Sequence, residues 1–260
     1  MHTRHEYSDG APCWADLSTP DSEGARRFYG DLLGWTIDAS GPEYGGYINC
    51  KRDGETVCGM MQSQPGQVPA SAWGIYLKTS DMAASVRAIR EAGGATLMGP
   101  HEIPGELGTM LIAQDPTGGG FGLWQPGLHR GAERFCTPGG LCWAELNTRD
   151  GAAADDFFRR LFDYTLEKVE GGIPYMTYHV GGLPVCGRLQ MTEAWCDTPP
   201  HWMIYFAVED VDAAAARVPE LGGKLCHGPF ESPHGRIAVV TDPFGAAFSI
   251  IRLARPASAK

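Results

Sequence analysis

At 260 residues the chain has room for two modest domains or one large one, and an apolar fraction of 43% is enough for a packed core. It holds no run of about 18 apolar residues, which excludes a membrane-spanning helix, and its formal net charge of −10 argues against nucleic acid or an anionic membrane as partner. The polar opening MHTRHEYSDGAPCW has no apolar stretch to serve as a signal peptide, so a cytoplasmic protein is the expectation. Eight cysteines (13, 50, 58, 136, 142, 186, 196 and 226) contain no CxxC pair, so disulfides and a zinc knuckle are not expected.

In chain order, Trp14 to Ser18 alternates and predicts a strand. Thr19-Pro20 then predicts an N-cap with proline at the first helical position. Ala25, Phe28, Tyr29, Leu32 and Leu33 form the stripe of an amphipathic helix. Short strands are predicted at Tyr47–Lys51, Thr56–Met61 and Trp73–Lys78, separated by glycine and proline. A second helix runs from about Asp81 to Ala92, with Met82, Val86 and Ile89 on one side and Gly93-Gly94 at its end. Two further strands are joined by the turn Asp115-Pro116-Thr117-Gly118.

The same order then repeats. Cys13-Trp14-Ala15-Asp16-Leu17-Ser18-Thr19 matches Cys142-Trp143-Ala144-Glu145-Leu146-Asn147-Thr148 without a gap. Phe28, Leu32 and Thr36 meet Phe157, Leu161 and Thr165, and Val57-Cys58-Gly59 meets Val185-Cys186-Gly187. Trp73, Ile75, Tyr76 and Asp81 meet Trp202, Ile204, Tyr205 and Asp210, and Asp115-Pro116 and Phe121 meet Asp242-Pro243 and Phe248. The expected domains are 12–126 and 140–254, with the Pro- and Gly-bounded segment 127–139 as linker and a frayed tail after Ala254.

Each half thus reads βαβββ twice, with Phe28-Tyr29-Gly30-Asp31-Leu32-Leu33-Gly34-Trp35 after the first strand and Asp-Pro-x-Gly before the last. In this it resembles the vicinal-oxygen-chelate superfamily of glyoxalases, extradiol dioxygenases and bleomycin-resistance proteins. The resemblance implies an α+β fold of two tandem domains, each made of two βαβββ units forming a curled, cup-shaped sheet. It also implies divalent-metal ligands at set strand positions, which in this chain hold Trp14, Gly74 and Gly122 in one half and Trp143, Met203 and Ser249 in the other. None is a conventional ligand, and near the fourth strand only Gln62 and Gln190 recur. Neither a metal nor any other cofactor is therefore expected.

The strand period of two puts Asp16 on the face of Trp14 and Glu145 on that of Trp143. A desolvated carboxylate beside an indole is a candidate general acid or base; the competing reading is a carboxylate that caps backbone or pairs with arginine. Trp14, Trp143 and Trp124 are candidate stacking surfaces, or else core tryptophans. Trp124 is paired on sequence with Arg252 in the second copy. Gln62, Gln190, Tyr76, Tyr205, Met203, Ser249 and His101 complete the candidate binding residues. The other histidines read as surface or loop residues, and Cys13, Cys58, Cys142 and Cys186 as packing.

Three functions stay open at this point. One is a metal-independent protein that binds and chemically alters an apolar aromatic small molecule; glyoxalase-like tandem proteins, some called hydroxylases, are associated with polyketide metabolism. Another is a protein that sequesters a drug or metabolite, as bleomycin-resistance proteins do. The third is a metal-dependent lyase or dioxygenase with displaced ligands, such as Asp16, Glu145 and a loop histidine. The partner expected is a small molecule, with no nucleic acid and no membrane. Because single-domain relatives pair, the tandem chain is expected as a monomer or a homodimer.

Overall fold

The computed structural model describes residues 7–39, 46–66, 71–170 and 174–254. The first repeat runs β1 (Pro12–Thr19), α1 (Ser22–Leu33), β2 (Thr36–Ala39), β3 (Ile48–Arg52), β4 (Glu55–Gln62), β5 (Ala72–Lys78), α2 (Met82–Glu91), β6 (Ala95–Ile103), β7 (Gly108–Gln114) and β8 (Gly120–Pro126). The second runs β9 (Leu141–Thr148), α3 (Gly151–Leu161), β10 (Thr165–Val169), β11 (Tyr175–Val180), β12 (Leu183–Gln190), β13 (His201–Ala207), α4 (Val211–Glu220), β14 (Lys224–Ser232), β15 (Gly235–Thr241) and β16 (Ala247–Leu253). The βαβββ order therefore recurs four times.

All four helices begin in the same way. Asp21, Asp81, Asp150 and Asp210 are the N-caps, and each carboxylate accepts the amide three residues on, from Gly24, Ala84, Ala153 and Ala213. The cap of α1 is thus Asp21 and not Thr19; Pro20 lies before the helix, where its missing N–H costs nothing. Both Asp-Pro turns are tied by their aspartates: Asp115 accepts from the amides of Thr117 and Gly119, and Asp242 from those of Phe244 and Ala246.

Each repeat builds one eight-stranded sheet, in the order β2-β3-β4-β1-β5-β8-β7-β6 and β10-β11-β12-β9-β13-β16-β15-β14. The curled, cup-shaped sheet expected from the sequence is not what forms: neither sheet closes or curls into a cup. Closure would require the outermost strands to pair, and β2 and β6, like β10 and β14, stay at opposite ends of an open sheet. Strands β6 and β14 carry largely exposed residues, so each sheet ends there with no further strand packed on it among the described residues.

Burial is concentrated where the repeats meet. Phe28 of α1 packs on Phe248, and Phe206 lies between Trp35, Trp73 and Phe248 with ring centroids 5.0 to 6.0 Å apart. Phe121 sits against Phe157 and Phe158 in a reciprocal contact. The Tyr29 hydroxyl, 3.2 Å from the Asp242 carboxylate, satisfies a buried acceptor across this interface. The connecting segment also binds both sides, since Trp35 Nε1 donates to Gly139 O at 2.7 Å and Arg134 pairs with Glu55 at 2.8 Å. Near its end the thiols of Cys136 and Cys142 lie 2.8 Å apart; none of the eight cysteines is in a disulfide.

Candidate ligand pocket

The site begins with two side chains on β1. Trp14 and Asp16 share a face of the strand, and Asp16 stands between two glycines, Gly59 on β4 and Gly74 on β5. A side chain at Gly59 would collide with both the Tyr47 hydroxyl and the Asp16 carboxylate, so glycine is required there by space. Asp16 Oδ1 accepts from Trp14 Nε1 at 2.8 Å and from the Tyr47 hydroxyl. The indole N–H is shared, since Tyr47 Oη is also 2.8 Å from it.

Burial pushes the Asp16 carboxyl above the usual carboxylate range, and hydrogen bonds from Tyr47, Trp14 and Tyr76 act against that rise. Tyr47 and Tyr76 are themselves pushed well up, first by burial and then by the charge of Asp16. They therefore stay protonated and act as hydroxyl donors.

This polar group forms one end of a cavity of about 520 Å³, within the usual size range of small-molecule pockets. Asn49 adds a second polar side chain beside Tyr47, while Trp14, Tyr76, Met61, Met110 and Trp124 give aromatic and apolar walls. Ile103, Pro104 and Leu107, around the turn between β6 and β7, close another side together with His129. The His129 ring stands edge-on to Trp14, with centroids 4.4 Å apart, and 5.5 Å from that of Trp124. Burial lowers its pKa, with Glu133 opposing, so the neutral imidazole is favoured.

The second repeat carries the same constellation in a different setting. Trp143 Nε1 donates to the Tyr175 hydroxyl at 2.8 Å, and Glu145 is hydrogen-bonded by Tyr205 and Tyr175. Burial of Glu145 pushes its carboxyl up to about 7, against those two bonds. Where Gly74 faces Asp16, Met203 faces Glu145; where Gly122 pairs with Tyr76, Ser249 pairs with Tyr205. In the same register Trp124 corresponds to Ile251 and not to Arg252. Met203, Tyr205, Ile237 and Ile251 form a buried cluster, with Trp143, Phe230 and Val239 packed on it. Where the first repeat has only backbone beside its carboxylate, at Gly74, the second has the side chain of Met203.

The remaining sequence candidates lie elsewhere. Gln62 and Gln190 each hold the turn between strand and helix: their amide oxygens accept from Ser22 N and Gly151 N, and their amide nitrogens donate to Pro20 O and Arg149 O. His101 is exposed on β6 and is not part of the pocket lining. Asp16 and Glu145 stand on different sheets, β1 and β9. Eight lining residues escaped the sequence reading, Tyr47 and His129 among them. Tyr47 has a signal in Tyr175, which holds the same register position at the start of the third strand of its unit. His129 has none, because it lies in the linker and nothing in the sequence repeats it.

These donors do not fit the metal of the fold. Among the described residues no group of three or more His, Cys, Asp or Glu side chains converges as a ligand set. The Trp14, Gly74 and Gly122 positions supply an indole and two bare backbones, and the one carboxylate oxygen that faces them already accepts two hydrogen bonds.

Comparison with known proteins agrees with this architecture. Residues 14–124 match the glyoxalase-like domain, and residues 140–250 match the Glyoxalase/Bleomycin resistance protein/Dioxygenase superfamily. The anthracycline biosynthesis protein DnrV of Streptomyces peucetius is 36% identical over 95% of this chain and 94% of its own length. The protein CFP32 of Mycobacterium tuberculosis (strain CDC 1551 / Oshkosh) is 35% identical over 97% of this chain and 98% of its own. Among solved structures, the Mn(II)-bound glyoxalase from Novosphingobium aromaticivorans superposes with a TM-score of 0.66 at 15% identity, covering 93% of this chain and 81% of that one, a likeness of fold. Two matched domains in tandem and relatives spanning nearly the whole chain make this protein a two-domain member of the glyoxalase, bleomycin-resistance and dioxygenase superfamily.

Proposed function

We propose that the chain binds a flat aromatic small molecule of polyketide type in the pocket of the first repeat, and that Asp16 moves a proton on it without a metal. The observation that carries this is a single hydrogen-bonded carboxylate at one end of a cavity walled by Trp14 and Trp124. Apolar walls with a few convergent polar groups are the usual form of a site for such ligands, and a desolvated carboxylate is a stronger base than one in water. The names of DnrV and of its relative DauV, which refer to anthracycline biosynthesis, favour a polycyclic aromatic ligand.

A proton on a carbon conjugated through an aromatic ring with a carbonyl is the fitting target. Asp16 would take that proton, the enolate oxygen would accept from Tyr47 or Tyr76, and return of a proton from Asp16 would close the cycle. Exchange of the acidic CH₂ protons of anthrone into D₂O, followed by NMR, tests it directly. Wild-type protein is expected to accelerate the exchange, and Asp16→Asn to fall back to the uncatalysed rate. The same variant is expected to bind 1,4-dihydroxyanthraquinone about tenfold more weakly, the effect of one hydrogen bond to a charged group.

A second reading is sequestration without turnover. It is favoured by one fact: Asp16 Oδ1 already accepts from Trp14 and Tyr47, an arrangement suited to fixed recognition. Binding that weakens in Asp16→Asn, with no exchange above background in wild type, would select it.

A further inference from the structure

The segment that joins the repeats is part of the pocket. After β8 the chain folds back on the turn between β6 and β7: Gly127 N donates to Leu107 O at 2.9 Å, Leu128 N to Glu106 O at 2.8 Å and His129 N to Leu107 O at 3.1 Å. Trp124 Nε1 donates to His129 O at 2.9 Å. Four hydrogen bonds thus fix the backbone of residues 127–129, and two of them meet at His129. Its ring is held edge-on to Trp14 and against Trp124, both of which line the cavity.

This anchoring leaves the polar atoms of the side chain unused. Among the described residues neither imidazole nitrogen of His129 has a hydrogen-bond partner, and the half-buried ring lines the pocket. Neither nitrogen is fully enclosed, so each is open to a partner that enters the pocket, and a ligand that supplies one gains affinity by it. A neutral imidazole offers one donor and one acceptor, so it can meet a hydroxyl or a carbonyl oxygen equally well. Counted from the register that pairs Gly122 with Ser249, the position of His129 is held by Pro256 in the second copy.

We propose that His129 is a ligand anchor supplied by the linker. It takes a hydroxyl or carbonyl oxygen of the bound aromatic at a point separate from the one that meets Asp16, so the pocket selects flat aromatics oxygenated at two positions. This rests on the pocket being an aromatic-ligand site, and it adds the substitution pattern of the ligand. The binding site is then a product of the tandem chain, since the residue that sets its selectivity lies outside both repeats.

Two probes and three variants test it in the full-length protein: 1,4-dihydroxyanthraquinone, followed by quenching of tryptophan fluorescence, and naphthalene, which carries no oxygen, followed by calorimetry. His129→Phe keeps a ring and loses both nitrogens; it is expected to weaken the dihydroxyanthraquinone about tenfold and leave naphthalene within about twofold. His129→Gln, which keeps a donor and an acceptor, is expected to stay within about threefold of wild type for both. His129→Leu repeats the test without an aromatic ring if the phenylalanine variant does not fold. Wild-type affinity for the dihydroxyanthraquinone in a folded Phe or Leu variant would overturn the anchor, as would an equal loss for both probes, which would mean packing alone. If wild type binds the dihydroxyanthraquinone and Asp16→Asn weakens it while the His129 variants do not, only the anchor fails. If wild type binds neither probe, the aromatic-ligand site itself fails and the anchor with it.

Discussion

Gly74→Met is expected to close the pocket of the first repeat and weaken binding of 1,4-dihydroxyanthraquinone by about a hundredfold. Gly74 faces Asp16 across the β1–β5 pair, and Tyr76, two residues on, lines the cavity, so a side chain at position 74 would enter it. A Cβ built there meets only Asp16 O, at 3.9 Å, which leaves the backbone undisturbed. The second repeat has made this substitution already: Met203 faces Glu145 and is packed with Tyr205, Ile237 and Ile251. Burying a methionine is worth about 1.5–3 kcal/mol, and a ligand would have to displace it to enter. Titration by tryptophan fluorescence, with thermal unfolding as control, measures the effect. Unchanged affinity in a folded variant would place the ligand away from this face of the sheet.

Glu145→Gln is expected to change how stability depends on pH. The folded carboxyl titrates at about 7 against an ordinary value of 4.5, because it is buried. Folding therefore takes up a proton between these values. The contribution is fully present below about pH 4.5 and is lost as pH rises through about 7. At roughly 1.4 kcal/mol per pH unit the loss approaches about 3 kcal/mol. Glutamine has no proton to lose, so the variant gains on wild type by about that amount between pH 4.5 and pH 8. Asp16, Asp115 and Asp242 are also raised by burial and give slopes of the same sign. Urea unfolding of both proteins at a series of pH values cancels them in the difference. A wild-type minus variant difference that does not move with pH would mean that Glu145 titrates as a solvated carboxylate.

Local periodicity is what the chain encodes directly. Register between the halves identified the duplication, the spacing of Ala25, Phe28, Tyr29 and Leu33 determined the buried face of α1, and the strand period placed Trp14 beside Asp16 and Trp143 beside Glu145. These depend on neighbours within a turn or two of chain. Even so, the cap at Asp21 was misplaced by two residues, because Thr19-Pro20 is an equally good local signal and only the path of the chain out of β1 decides between them.

The other features depend on segments far apart in the chain. Whether the sheets close is a matter of their edges, and β2 and β6 never meet. Gly74 leaves room beside Asp16 where Met203 stands beside Glu145, and Trp124 gives a wall where the second repeat has Ile251; each residue is plain in the sequence, but its effect appears only when β5 and β8 lie side by side. Gln62 and Gln190, prominent as recurring polar residues, turn out to hold helix starts. His129 reaches the pocket because hydrogen bonds fold the linker back on the turn between β6 and β7. The pattern of a single strand specifies which way a side chain points. What it meets there is set by the packing of strands and turns that close the space around it.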